Sequence, residues 1–267
     1  MLSPTAPAEC AIAVMAKASH PGRTKTRLVP PLSFDEAAAF NTVFLKDIAA
    51  NLAAAGVVTP IASYMAYGPP GSAPFFQQNL PEAGLIEVWF PNFGDCLFAT
   101  IAELLARGHG SAVVLNSDSP TLPTALLIET AQVLAQPGDR AVLGPADDGG
   151  YYLLGLKQAH RRMFDEIDWS TERVAGQTLA RAREIGLPVH VLPTWYDVDD
   201  AAALRCLTGE LLESRPFDPT RKSSRALHTA ALIESLRAGG DFAARIGLDD
   251  PHWPATQDLR DDNALAR

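Results

Sequence analysis

Cysteine is scarce in this chain of 267 residues, and its three cysteines, Cys10, Cys96 and Cys206, lie far apart in the sequence. They form no CxxC pair and no spacing that is typical of a metal site. Small secreted domains held together by disulfides are rich in cysteine, so this class of protein is excluded. We therefore expect free thiols and a cytoplasmic location.

The chain also lacks long apolar runs and an excess of positive charge. No stretch reaches the roughly 20 apolar residues that a membrane-spanning helix needs, and residues 1–9 show no signal-peptide pattern. The formal net charge is −9 and the isoelectric point is about 5.1, which disfavours a general nucleic-acid binder. We expect neither a membrane nor a nucleic acid as a partner.

The two common glycine-rich nucleotide motifs, GxGxxG and the Walker loop, do not follow the first predicted strand, residues 11–16. That strand leads instead into a short loop that contains four cations. They are Lys17, Arg23, Lys25 and Arg27. Gly22 allows the backbone to approach a ligand closely, and backbone N–H groups beside cations suit a phosphate. The alternative interpretation is a basic loop that contacts only solvent.

The run Val113–Pro120 changes from apolar to polar within two residues of Leu115. The β-branched part predicts a strand buried on both faces, which places Asp118 just past its carboxyl end. Ligands bind at that edge of an open parallel sheet. Asp118, flanked by Ser117, is therefore a candidate ligand of a divalent metal; the alternative is a carboxylate that only caps a helix.

A pair of acids and a pair of glycines follow the strand predicted over residues 141–143. They are Asp147, Asp148, Gly149 and Gly150. The glycines would let the backbone touch a ligand, whereas Asp-Gly is also a strong signal of a plain hairpin turn. Both interpretations stay open.

Three further carboxylates follow the strand predicted over residues 189–192. In an extended segment Asp197 and Asp199 point to the same side, while Asp200 is placed to cap the next helix. Like charges this close are unfavourable unless a cation is present. We expect Asp199 or Asp197 to be a second metal ligand rather than part of a solvated acidic turn.

Strands and helices alternate over about the first 210 residues, which predicts an α/β fold with a mainly parallel sheet between helices. Ser33 and Glu36 form a capping-box pattern, and the helix that follows ends at Gly56. Other predicted elements are strands over 57–66 and 85–90, a helix from Cys96 to Arg107 capped by Asp95, a helix from Glu172 to Ile185 capped by Ser170 or Thr171, and a helix over 223–237.

The motifs together resemble one family over roughly residues 10–205. They are Pro21-Gly22-Arg23-Thr24-Lys25-Thr26-Arg27-Leu28, Ser117-Asp118-Ser119-Pro120, Gly144-Pro145-Ala146, Asp148-Gly149-Gly150-Tyr151-Tyr152-Leu153, Trp169-Ser170-Thr171 and Asp197-Val198-Asp199. The chain resembles the glycosyltransferase-like family of GT-A fold whose members are called radical-SAM/selenodomain-associated or arsenosugar-biosynthesis transferases. It is more remotely similar to 2-phospholactate guanylyltransferase.

This resemblance implies a GT-A, nucleotide-diphospho-sugar transferase fold, with nucleotide phosphates at Lys17, Lys25 and Arg27 and metal at Asp118 and Asp199. The sequence departs from the family pattern in two places. Ser19 replaces the first proline of the usual Pro-x-Pro-Gly, and the stretch 94–98 lacks the usual Arg-Met pair. The predicted division is a loose lead-in over 1–9, a transferase domain over 10–215 and a helical C-terminal extension over 216–267.

The sequence thus predicts a transferase that uses Mg²⁺ or Mn²⁺, since these ions prefer oxygen ligands. The predicted catalytic residues are Asp118, Lys25 and Asp148; the phosphate-binding residues are Lys17, Gly22, Arg23, Lys25, Arg27, Ser117, Gly149 and Gly150; the metal ligands are Asp118, Asp199 and Asp197. Its partners would be a nucleotide or nucleotide-sugar donor and a small-molecule acceptor. A homodimer stays an open alternative that no specific residue indicates. Glycosyl transfer is the first hypothesis, nucleotidyl transfer to a phosphorylated or phosphonate acceptor the second, and a nucleotide-binding module without turnover the third.

Overall fold

The structure, a computed structural model, describes residues 9–248. The predicted lead-in up to residue 8 and the end of the predicted C-terminal extension, residues 249–267, lie outside this range. The strands are β1 (Cys10–Lys17), β2 (Ile61–Gly68), β3 (Gly84–Glu87), β4 (Ser111–Leu115), β5 (Ala141–Pro145), β6 (Tyr151–Leu156) and β7 (Val189–Val191). The α-helices are α1 (Phe34–Gly56), α2 (Ala73–Asn79), α3 (Phe93–Ala106), α4 (Thr124–Ala135), α5 (Val174–Glu184), α6 (Ala201–Leu212), α7 (Leu227–Ala238) and α8 (Phe242–Ile246). Among the helices of this range, none is both long and apolar enough to cross a membrane.

The strands form one sheet in the order β3-β2-β1-β4-β6-β5-β7. Only β6 runs against its neighbours, and every other pairing within this sheet is parallel. The predicted α/β fold with a mainly parallel sheet is thereby confirmed. Because six strands share one direction, the carboxyl ends of β1, β4, β5 and β7 meet at one edge of the sheet.

Helices cover both faces of the sheet, and β1 shows how the sequence specifies this arrangement. Ile12 and Val14 belong to a cluster with the apolar side of α1, whereas Ala11 and Ala13 belong to a second cluster with α3. Alternate residues of a strand point to opposite faces, so a run that is apolar at every position is buried on both sides. The predicted capping box at the start of α1 is confirmed, with Ser33 as the N-cap residue.

Several predicted boundaries are wrong, each for a local reason. The second strand begins at Ile61 rather than Val57, because Val57 and Val58 lie exposed in the turn that follows α1. The third strand is limited to β3. Helix α3 begins at Phe93 and is capped by Asn92, whose Oδ1 accepts a hydrogen bond from the Gly94 N–H at 2.7 Å.

Asp95 therefore does not cap α3; it lies in the first helical turn and pairs with Arg161 at 2.5 Å. Helix α5 starts at Val174, later than predicted, and its N-cap residue is Arg173, so neither Ser170, which has a φ of 66°, nor Thr171 caps it. Thr171 instead donates to the carbonyl oxygen of Asp168 at 2.7 Å. Helix α7 likewise begins at Leu227, after a left-handed residue, rather than at Ser223.

The C-terminal helices are fixed to α1 by polar contacts. Asp47 of α1 is 3% exposed and accepts from the backbone N–H groups of His228 and Thr229, at 2.9 and 2.8 Å, and from the Thr229 hydroxyl at 2.6 Å. Arg245 of α8 forms a two-point ion pair with Glu36, at 2.9 and 2.7 Å. Asp47 thus caps the start of α7, which has no capping side chain of its own.

Candidate active site

The cationic loop after β1 folds back on itself. The carbonyl oxygen of His20 accepts from the N–H groups of Arg23 and Thr24, at 3.0 and 3.2 Å, while Gly22 has a φ of 75°. Lys25 adopts the left-handed conformation, with a φ of 52°, and a short 3-10 turn follows it. This backbone directs the Lys25 side chain inward, where only 5% of it is exposed.

The Lys25 ammonium group lies between two distant parts of the chain. Its Nζ is 2.6 Å from Asp118 Oδ1, 2.7 Å from the carbonyl oxygen of Val198 and 3.2 Å from Asp199 Oδ1. The Val198 N–H also donates to the backbone oxygen of Asp118 at 2.8 Å. The structure therefore brings Asp118 against both the first loop and the segment that contains Asp199.

Asp118 is not a helix cap, because α4 begins at Thr124, six residues later. Its carboxylate is 27% exposed and accepts from the Ser117 hydroxyl at 3.1 Å. The predicted cap at Asp200 is confirmed: its Oδ1 accepts from the Ala203 N–H at 2.8 Å. Asp118 thus points toward a cleft rather than a helix end, as a ligand-binding carboxylate would.

A cleft of about 350 Å³ opens above the carboxyl ends of β1 and β4. The four loop cations, Lys17, Arg23, Lys25 and Arg27, all line it, together with Ser117, Asp118, Asp199 and Tyr151. Lys17, Arg23 and Arg27 are exposed, and the Arg27 guanidinium lies 3.5 Å from Asp199 Oδ2. Three exposed cations and one buried cation therefore face the same space.

Gly149 and Gly150 are not among the residues that line this cleft. Gly149 has a φ of 88°, and an added Cβ would lie 2.1 Å from the carbonyl oxygen of Glu172. Gly150 donates its N–H to Asp148 Oδ1 at 2.8 Å. The glycine pair therefore has a packing role in the β5–β6 hairpin, which lets this hairpin approach the segment before α5.

A second, acidic depression of about 370 Å³ adjoins the cleft, since Arg27 and Asp199 line both. Its carboxylates are Asp147, Asp148, Asp197, Asp199 and Asp200. Burial, together with Asp148 and Asp199, raises the pKa of Asp197 to about 8. Burial and Asp148 raise the pKa of Asp147 to about 6. Among the described residues that line this depression, Arg27 is the one cation, so acidic groups outnumber basic ones.

The carboxylates of the cleft and the depression do not form a complete metal site on their own. Within residues 9–248, no three His, Cys, Asp or Glu side chains form a preformed metal site. Asp118 and Asp199 do converge, and the raised pKa of Asp197 favours a cation nearby. Mg²⁺ is usually held by one or two carboxylates plus substrate phosphates. The two carboxylates therefore fit a divalent ion whose remaining ligand positions are filled by phosphate oxygens.

Sequence reasoning missed a residue that shapes the cleft. Asn41, on the core side of α1, is 4% exposed and donates to the carbonyl oxygen of Lys17 at 3.0 Å and to the Ser19 hydroxyl at 2.8 Å. It fixes the start of the cationic loop. The sequence did carry a signal for this role, because Asn41 places an amide on the same helix face as Phe40 and Phe44. A polar side chain on an apolar face needs a specific hydrogen-bond partner.

Comparisons with known proteins agree with this fold. Residues 51–171 match the family described as "Uncharacterized protein conserved in bacteria (DUF2064)". This range contains Asp118 and the β5–β6 hairpin but neither Lys25 nor Asp199. No curated protein matches the chain.

Among solved structures, the chain is similar to a protein from Desulfovibrio desulfuricans G20 that is provisionally described as a nucleotide-diphospho-sugar transferase. Identity is 28%, the TM-score is 0.74, and the match covers 86% of this chain and 96% of that one. This likeness confirms the predicted GT-A type of fold and supports a transferase.

Two more distant likenesses are a CMP:2-keto-3-deoxy-manno-octonic acid synthetase complexed with CTP and a cytidylyltransferase from Leptospira borgpetersenii. The first has 12% identity, a TM-score of 0.49 and coverage of 77% of this chain and 99% of that one. The second has 9% identity, a TM-score of 0.49 and coverage of 87% and 95%. Both are too distant to bear on function.

Proposed function

We propose that this protein is a metal-dependent transferase that moves a glycosyl group from a nucleotide-diphospho-sugar to a small-molecule acceptor. The observation that carries the proposal is the meeting of the cationic loop with the Asp118–Asp199 pair at one cleft. The similarity to a provisionally described nucleotide-diphospho-sugar transferase over most of both chains supports the same activity.

The donor's diphosphate would bind the exposed cations of the loop, Lys17, Arg23 and Arg27, which line the cleft. Hydrogen bonds from cations to phosphate are shorter and stronger than those between neutral groups. Gly22 does not line the cleft, and the N–H groups of Arg23 and Thr24 already donate to His20, so the side chains of the loop rather than its backbone would hold the phosphates. These residues bind and orient the donor.

Asp118 and Asp199 would hold Mg²⁺ or Mn²⁺ together with the donor's phosphates. When bound, the ion would stabilise the negative charge that develops on the leaving nucleoside diphosphate. Asp197, whose raised pKa keeps it largely protonated at neutral pH, would not be a preformed ligand. The geometry of this pair, rather than any one carboxylate, is the feature on which catalysis depends.

The acidic depression beside the cleft would receive the acceptor. Asp148 faces this depression and would accept a hydrogen bond from an acceptor hydroxyl, and then its proton. A phosphorylated or phosphonate acceptor would meet a cluster of five carboxyl groups there, and those that are ionised would repel its charge. The depression therefore favours glycosyl transfer to a neutral or cationic acceptor over the alternative, nucleotidyl transfer to an anionic one.

A two-step experiment tests the proposal on the full chain. Nucleoside diphosphates, nucleoside triphosphates and nucleotide sugars are first screened by thermal shift with and without Mn²⁺, and the stabilising donors are then incubated with a mixture of sugar and polyol acceptors. Release of a nucleoside diphosphate supports glycosyl transfer, whereas release of pyrophosphate from a triphosphate supports nucleotidyl transfer instead. Binding without release of either product would indicate a nucleotide-binding module.

Asp118→Asn is the informative variant, and Asp35→Asn, an exposed carboxylate at the start of α1, is its control. We expect Asp118→Asn to lose the Mn²⁺-dependent part of donor binding while Asp35→Asn keeps it. Unchanged Mn²⁺-dependent binding in Asp118→Asn would remove the metal role that we assign to this residue.

A further inference from the structure

The carboxylates proposed to hold the metal are already neutralised by the protein itself. Three of the four oxygens of the Asp118–Asp199 pair lie within 3.5 Å of a cationic side chain: Asp118 Oδ1 and Asp199 Oδ1 near Lys25, and Asp199 Oδ2 near Arg27. An ammonium group has three N–H donors. Those of Lys25 are matched by Asp118, Asp199 and the Val198 carbonyl oxygen.

Lys25 is held firmly in this position, unlike the other cations of its loop. Its side chain is 5% exposed, whereas that of Arg27 is 74% exposed. The Lys25 ammonium also lies 5.2 Å from the centre of the Phe44 ring, over which it makes a cation–π contact. A buried lysine is stable only when it is paired, and here both of its charged partners belong to the proposed metal site.

We propose that Lys25 is an internal counter-ion that closes the Asp118–Asp199 pair in the free protein. A divalent cation then binds this pair only together with a nucleotide, because the donor's phosphates take over the Lys25 ammonium as it leaves the carboxylates. This inference rests on the proposed function. It adds a coupling between the two ligands: the metal and the nucleotide bind together, and each binds the site weakly without the other.

The physical reason is the competition of two cations for the same oxygens. A divalent ion and an ammonium group beside the same carboxylates repel each other, and the repulsion is strong in a partly buried site. Phosphates offer the ammonium new acceptors and offer the ion further oxygen ligands. Lys25 therefore couples metal binding to nucleotide binding without any contact between metal and protein beyond the two carboxylates.

The test is the affinity of the full chain for Mn²⁺ alone, measured by electron paramagnetic resonance of the free ion in the absence of nucleotide. Lys25→Met removes the ammonium but keeps an unbranched side chain that can pack on Phe44. Lys46→Met, on α1 and outside both depressions, makes the same change in net charge and is the control. We expect Lys25→Met to bind Mn²⁺ about 10-fold or more tightly than the wild type, and Lys46→Met to match the wild type.

Two further measurements keep the inference falsifiable. Circular dichroism checks that Lys25→Met is folded, and Lys25→Gln, which is neutral but retains two N–H donors, replaces it if it is not. The wild-type chain is also titrated with nucleoside diphosphates with and without Mn²⁺, and we expect tighter nucleotide binding with Mn²⁺ present.

The outcomes separate this inference from the proposed function. Mn²⁺ affinity in Lys25→Met or Lys25→Gln that equals or falls below the wild-type value overturns the counter-ion role. So does tight binding of Mn²⁺ alone to the wild type. A wild-type chain that binds no nucleotide refutes the proposed function, while the ratio of Mn²⁺ affinities between the variants and the wild type still tests Lys25.

Discussion

Asp47→Ala should strongly destabilise the protein although Asp47 is remote from the cleft. The substitution removes three hydrogen bonds, of 2.6–2.9 Å, that connect α1 to the first turn of α7. Hydrogen bonds to a charged group contribute about 1.5–3 kcal/mol each, and loss of a helix cap costs about 0.5–2 kcal/mol. Because the bonds share one carboxylate they are not additive, and we expect a loss of about 3–5 kcal/mol of unfolding free energy.

The assay is reversible urea unfolding of the full chain, followed by circular dichroism. Asp47→Asn keeps one acceptor oxygen and should lose less than Asp47→Ala. Asp35→Ala removes an exposed carboxylate from the same helix and should cost less than about 1 kcal/mol, the usual size of a helix-dipole contribution. If Asp47→Ala stays within 1 kcal/mol of the wild type by this assay, the capping role of Asp47 is refuted.

Two other changes follow from the geometry. The hydrogen bond from Arg245 lowers the pKa of Glu36 from its ordinary 4.5 to about 2, so the stabilisation it reflects is complete above pH 4.5 and is lost as the pH falls toward 2. Thermal unfolding should therefore show that Arg245→Ala is less stable than the wild type at pH 7, and the difference should shrink below pH 4.5. A difference in stability that is constant with pH would contradict the ion pair between Arg245 and Glu36. Gly149→Ala should cost about 2 kcal/mol or more in urea unfolding, because its φ is positive and the new Cβ would collide with Glu172. Gly176→Ala, in the first turn of α5 with open space around it, should instead be neutral or stabilise by up to about 1 kcal/mol. Equal losses in both variants would show that local crowding is not the cause.

The sequence was informative wherever a feature depends on neighbouring residues. The Ser33 and Glu36 pattern predicts the start of α1 because both capping hydrogen bonds form within one helical turn. Asp118 could be placed at the edge of the sheet because a buried run of β-branched and apolar residues ends just before it. Parallel strands place the carboxyl ends of β4 and β7 at the same edge of the sheet. Two strands lie between them, so the proximity of Asp118 and Asp199 also depends on the segment after β7, whose Val198 N–H donates to the Asp118 backbone oxygen.

The sequence was uninformative wherever a choice depends on distant contacts. Four cations occupy the loop, and nothing in their spacing distinguishes Lys25, the one that turns inward, from its neighbours. That choice depends on the left-handed backbone at Lys25 and on acceptors at Asp118 and Val198. Asn92 and Asp95 are both good helix caps by residue type, and only the contact of Asp95 with Arg161 shows why the asparagine takes that role.

The bond between Lys25 and Asp199 joins positions that are 174 residues apart. A nascent chain that has emerged from the ribosome only as far as α5 already contains the loop, β1 and β4, yet it lacks the acidic partner that completes the pair. Any premature stop before residue 199 would likewise yield a product with an unbalanced basic loop and no second carboxylate. The proposed site is therefore completed late in synthesis, when the segment that follows β7 reaches Lys25 and Asp118.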